Sequence, residues 1–163
     1  MAKDFFLKLD GIDGQSNDKS HGKWIEVIGF SHGSMQNVSM ARGVDVAGRG
    51  QFIPFVFSHQ VDKATPKLQQ FCMNGKNIPK ATFQVCRAIA GLQVATYEVS
   101  MENVKIAKAE IRTPEMKDNQ EGNEPVEFVE LVAGKMTWKV TPIKPDNTKE
   151  GAIEASFDQI ANA

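Results

Sequence analysis

Gly29-Phe30-Ser31-His32-Gly33 spells G-x-S-x-G, the pattern in which a strand-to-helix turn can raise a serine hydroxyl as a nucleophile. Asp45 and His59 follow in the Ser, Asp, His order that such a hydrolase uses. That chemistry needs a tight turn into a helix, so that the hydroxyl stands clear and a following amide completes an oxyanion hole. Ser34-Met35-Gln36-Asn37-Val38-Ser39 shows no helical period, and the chain lacks the alternating βα units that build such a sheet. Ser31 is therefore read as a polar residue on a strand surface, and no catalytic residue is assigned.

The other reactive residue types form no pattern. His21, His32 and His59 lack metal-ligand spacings, and Cys72 and Cys86 are no C-x-x-C pair. Both cysteines are read as buried free thiols, in keeping with a reducing cytoplasm. Ala47-Gly48-Arg49-Gly50 lacks the G-K-[ST] ending of a phosphate loop. In the Asp10 to Gly22 stretch, Ile12 stands where an EF-hand loop needs an oxygen ligand. Asn37-Val38-Ser39 is an N-glycosylation sequon, inert without secretion through a leader. No metal, cofactor or enzymatic activity is expected.

The totals agree with a structural or binding protein. A chain of 163 residues fits one domain over 1–163, with 41% hydrophobic and 24% charged residues. A formal net charge of −1 gives no broad attraction to nucleic acid or anionic membrane. No run approaches the ~18 apolar residues of a membrane span. Asp4 and Lys8 interrupt any leader-like apolar region, so export is expected without a cleaved signal peptide.

The elements that position these residues are mostly strands. Phe5 to Leu9 and Trp24 to His32 are strand patterns, the second with apolar residues on both faces. Between them, residues 10–22 read as a solvated loop. Residues 36–52, with glycines at 43, 48 and 50, form a long excursion. Gln51 to His59 is a strand in which Pro54 marks an edge or a bulge. Over residues 65–75 the pattern predicts the one helix: Thr65 as N-cap, Pro66 in the first turn, Leu68, Phe71 and Cys72 on one face, Gly75 at the exit. Ala81 to Arg87 and Leu92 to Met101 alternate around an Ala90-Gly91 turn, and Val104 to Arg112 forms a further strand. After the polar residues 113–125, Val126 to Ala133 and Lys135 to Thr141 suggest a hairpin around Gly134. The tail, 146–163, suits a terminal strand or short helix. The expected fold is mainly β, a barrel of two antiparallel sheets with one flanking helix.

In order and spacing, several stretches resemble the haemolysin-coregulated protein (Hcp) family of bacterial type VI secretion. They are Phe6-Leu7-Lys8-Leu9-Asp10-Gly11-Ile12-Asp13-Gly14-Gln15-Ser16, then His21, and Ile25-Glu26-Val27-Ile28-Gly29-Phe30-Ser31-His32-Gly33. Asp62 to Leu68 through Gly75, Val129-Glu130-Leu131-Val132 and Lys135-Met136-Thr137-Trp138 complete the set. His32 departs from it, since many relatives carry an aromatic residue there. The resemblance implies homohexameric rings that stack into an expelled tube, with a spike protein, a contractile sheath and effector proteins as partners. It places the protein in the cytoplasm before firing and outside the cell afterwards. It also gives the excursion a role: Arg42, Val44, Asp45, Val46, Arg49 and Phe52 become contact residues between subunits or rings, with Ser31 and Gln36 weaker choices for the lumen. A serine hydrolase and a monomeric small-ligand barrel are the alternatives.

Overall fold

In the computed structural model, residues 3–40, 43, 45–46, 48–113 and 124–163 are described. The strands are β1 (Lys3–Leu9), β2 (Ile25–Val27), β3 (Gly29–Met35), β4 (Val38–Ser39), β5 (Asp45–Val46) and β6 (Gln51–Gln60). After the helix α1 (Thr65–Asn74) come β7 (Ile78–Ile89), β8 (Leu92–Arg112), β9 (Val126–Val140) and β10 (Ile153–Asp158). All pairings are antiparallel, in the order β2-β1-β7-β8-β9-β6-β3. The first and last members of that path are separated only by Ile28, whose N–H donates to the Ser58 carbonyl at 2.8 Å. The sheet thus curls until its two ends meet, giving the expected mainly-β barrel, with one helix among the described residues.

Ile28 also explains the two apolar faces of the 24–32 stretch. Ile25 and Val27 are buried and Ile28 is exposed, whereas beyond it the half-buried Phe30 and His32 point inward and Ser31 outward. The inward parity switches at the kink, because strict alternation cannot survive a break in the ladder. Pro54 lies in a bulge: Ser31 pairs with Val56 and Gly33 with Ile53, so β6 holds two residues opposite His32. The Ala90-Gly91 turn is present, with φ of 51° and 77°, the positive pair of a two-residue I′ hairpin.

The expected hairpin at Gly134 is absent, and β9 runs straight through it. Likewise β8 is one strand of 21 residues rather than two. Gly134 is small for another reason: a Cβ there would lie 2.9 Å from Ile160 and 3.3 Å from Asn103. The tail docks at this point, with Gln159 N–H donating to the Gly134 carbonyl at 2.8 Å. A glycine inside a strand here marks a close approach, not a turn. The tail itself is a strand, β10, on the half of β9 that β6 leaves free.

The barrel interior is filled by Leu7, Ile25, Phe55, Phe57, Phe83, Met101, Leu131 and their neighbours. Leu68 and Phe71 of α1 join that core, while Cys72 is half-buried rather than buried. The N-cap is Ala64, not Thr65; the Thr65 hydroxyl instead accepts from Asp62 N–H at 3.2 Å. Gly75 ends the helix at φ 64°, the left-handed exit expected of it. Helix position is set by polar contacts as well. Gln69 Nε2 donates to Glu127 at 2.7 Å and to the Ala109 carbonyl at 3.2 Å, tying α1 to β9 and β8.

The 10–22 stretch is not a solvated loop. Ile12, Ser16 and His21 are buried, and a Cβ on Gly14 would sit 2.4 Å from the Trp24 carbonyl oxygen. The loop folds over the outer side of β1, where Phe6 stacks on His21 at 4.2 Å and Trp24 meets it edge-on at 4.8 Å. A small apolar cluster outside the barrel absorbs residues whose polarity suggests solvent.

Candidate functional site

Ser31 lies in mid-strand on β3, opposite Val56, with no turn into a helix. Asp45 is on β5, in a two-stranded ribbon where Val38 pairs with Val46 and Ser39 with Asp45. His59 is fully buried on β6, and its Nε2 is committed to Glu127 Oε1 at 2.7 Å. The Nδ1 side faces Asp62 Oδ2 at 3.5 Å. The imidazole is held by two carboxyl groups unrelated to Ser31, so the hydrolase constellation does not assemble.

His59 forms a buried ion pair instead. Burial alone would lower its pKa, but Asp62 and Glu127 outweigh burial and raise it to about 9. Glu127, at hydrogen-bond distance, is the tighter partner. His32 sits in the opposite environment. Its ring packs against Phe55 at 5.4 Å, Tyr97 at 5.8 Å and Phe30 at 6.1 Å, and Tyr97 Oη meets its Nε2 at 2.9 Å. Burial lowers the His32 pKa, and burial raises that of Tyr97. His32 thus takes the place of an aromatic core residue.

His21 is the third histidine. Its Nδ1 faces Asp18 Oδ1 and its Nε2 faces Gln84 Oε1, each at 2.6 Å. The hydrogen bond from His21 holds the Asp18 carboxyl below its usual pKa. Beside them Cys86 is buried; burial, then the charges of Asp18, Asp4 and Glu98, push its thiol to about 12. Such a thiol is unreactive, as the reading of a free buried cysteine requires. Among the described residues, no group of three or more His, Cys, Asp or Glu is placed to hold a metal.

The residues expected to make contacts fall into four groups. Arg42 and Val44 lie outside the described residues; Asp45 and Val46 form β5 on the ribbon. Arg49 is exposed, as are Ser31 and Gln36, whose Oε1 accepts from Asn37 N–H at 3.1 Å. Phe52 is half-buried, edge-on to Trp138 at 6.0 Å and to Phe157 at 6.2 Å. Around it the base of the excursion and the tail enclose an open cleft of about 620 Å³, with Met35, Trp138 and Phe157 on its walls. The sequence did not single out those three, because they come from separate strands. Val38 and Met40, at 49% and 74% exposure, put further apolar surface on this side.

A curled antiparallel barrel, one docked helix and an excursion with exposed apolar residues are the features that the described residues present. Over residues 6–140 the chain matches the family described as "Type VI secretion system effector, Hcp", and it belongs to that family. It is 28% identical to protein hcp1 of Pseudomonas aeruginosa, over 93% of this chain and 91% of that protein. A solved type six secretion system protein superposes with a TM-score of 0.87 at 25% identity, covering 99% of both chains. Hcp1 from Salmonella typhimurium superposes with a TM-score of 0.77 at 28% identity, covering 99% of this chain and 98% of that one. Among the described residues, no helix is long and apolar enough to cross a membrane.

Proposed function

We propose that the chain acts as one Hcp-like domain over 1–163, the tube subunit of a type VI secretion system. Six copies close a ring and rings stack into a conduit that is made in the cytoplasm and expelled. The spike protein, the contractile sheath and effectors carried in the lumen are its partners. The observation that carries this reading is the family match over residues 6–140 on a barrel of matching shape.

In that assembly the excursion meets a neighbouring subunit or ring through Arg42, Val44, Asp45, Val46, Arg49 and Phe52. Exposed Val38 and Met40 beside them favour it, since apolar side chains on a ribbon are normally covered in the working state. Ser31 and Gln36 face the lumen and touch cargo. Native mass in solution, followed by negative-stain imaging, tests the ring: a six-subunit particle with an open centre supports it, and a monomer at high concentration overturns it. Deleting residues 42–49 weakens ring or tube assembly while the monomer keeps its fold; unchanged assembly removes the contact role.

A further inference from the structure

We propose that His59 is a proton latch at the entry to α1, holding the helix on the barrel while its ring carries two protons. This device is independent of the tube assignment. The ring lies at the meeting point of three segments. Glu127 of β9 takes Nε2 at 2.7 Å, and Asp62, in the turn leading into α1, faces Nδ1 at 3.5 Å. From α1 comes only the neutral Gln69, which donates to the other oxygen of Glu127; β8 presents the Ala109 carbonyl to the same Gln69 amide. Phe57 is the aromatic neighbour, at 5.7 Å. The charged groups on the two ring nitrogens are both acids, Asp62 and Glu127.

Asp62 connects the ring to the helix. Its Oδ1 accepts from Ala64 N–H at 2.8 Å, its N–H donates to the Thr65 hydroxyl, and its carbonyl accepts from Thr65 N–H at 3.2 Å. The Leu68 N–H then bonds the Ala64 carbonyl as the helix begins. A single residue therefore shapes the entry through its backbone and one carboxylate oxygen, and its second carboxylate oxygen faces His59.

When the ring loses a proton, the shorter bond to Glu127 keeps the remaining one on Nε2. Nδ1 of the fully buried ring then turns a lone pair toward the Asp62 carboxyl. Attraction becomes repulsion at the residue that organises the first turn. The helix is too short to persist undocked, so its entry loosens before the strands do. A pKa raised from 6.5 to about 9 puts this change on the alkaline side.

Hydrogen exchange of the full chain at pH 7 and pH 10, expressed as protection factors, tests the latch. Protection of the first-turn amides of α1 should fall roughly fifty-fold, at least as far as that of β7 and β8. In Asp62→Asn the fall should shrink to a few-fold, and in His59→Gln it should vanish. Equal protection at both pH values in the wild-type chain overturns the proposal. So does a fall confined to the strands, or an undiminished fall in Asp62→Asn, the variant that keeps an oxygen for Ala64 N–H.

Discussion

His59 and His32 stand on adjacent, hydrogen-bonded strands, β6 and β3, yet their pKa values move in opposite directions. Both rings are shielded from water, and shielding lowers the pKa of each. Near His59 two carboxyl groups reverse that effect. Near His32 the neighbours are Phe30, Phe55 and a tyrosine hydroxyl, none of which offers a negative charge, so shielding prevails. Burial sets how strongly a charge is felt, and the partner sets its sign. One histidine became part of an ion pair that anchors the helix, the other part of an aromatic stack.

The comparison can be broken hardest at Glu127. Glu127→Ala leaves a fully buried imidazolium with Asp62 as its one counter-charge at 3.5 Å, and a Gln69 amide with only the Ala109 carbonyl as acceptor. Chemical denaturation at pH 7 should show a loss of about 3–5 kcal/mol. A loss below ~1 kcal/mol would mean that His59 discards its proton freely and needs no partner. Next in size is the alkaline response of the wild-type chain. The contribution of His59 is fully present below about pH 6.5 and is lost as pH rises through about 9. A pKa displaced from 6.5 to about 9 corresponds to roughly 3 kcal/mol, read as a falling denaturation midpoint between pH 7 and 10.

At His32 the effects are smaller. Tyr97→Phe removes the hydroxyl that meets Nε2 and should cost about 1 kcal/mol at pH 7 by the same measurement. His32→Phe keeps the stack and should change stability by less than ~1 kcal/mol at neutral pH. Its signature comes in acid. A lowered pKa means that the stability His32 preserves above about pH 6.5 is lost as pH falls, because the unfolded chain takes up the proton more readily. The variant should therefore overtake the wild-type chain below pH 6, and parallel curves for the two would remove the difference between the histidine environments.

Local signals in the sequence survived wherever one short segment carried all the physics. Pro66 in the first turn and Gly75 at the exit bracket the helix because backbone geometry is decided by those residues themselves. Ala90-Gly91 turns for the same reason, and Pro54 falls in a bulge because it cannot donate to a ladder. Gly134 misled, since a glycine that turns and a glycine that admits Ile160 look the same in one dimension. Thr65 misled more gently: its hydroxyl does accept a backbone N–H, but from Asp62 rather than from the helix.

Determined by the sequence alone were the strand-rich class, the helix over about 65–75 and the resemblance that the family match bears out. Each rests on residue type and short spacing, which the chain carries wherever it folds. The tertiary structure alone decided that β8 and β9 run unbroken, that the 10–22 stretch packs on Phe6, and that His59 meets Glu127 across 68 positions of sequence. Such pairings depend on the antiparallel ladders, which set segments distant in sequence side by side, as β6 and β9 do for His59 and Glu127. Only in the folded chain do the pKa values of His59 and His32 move in opposite directions.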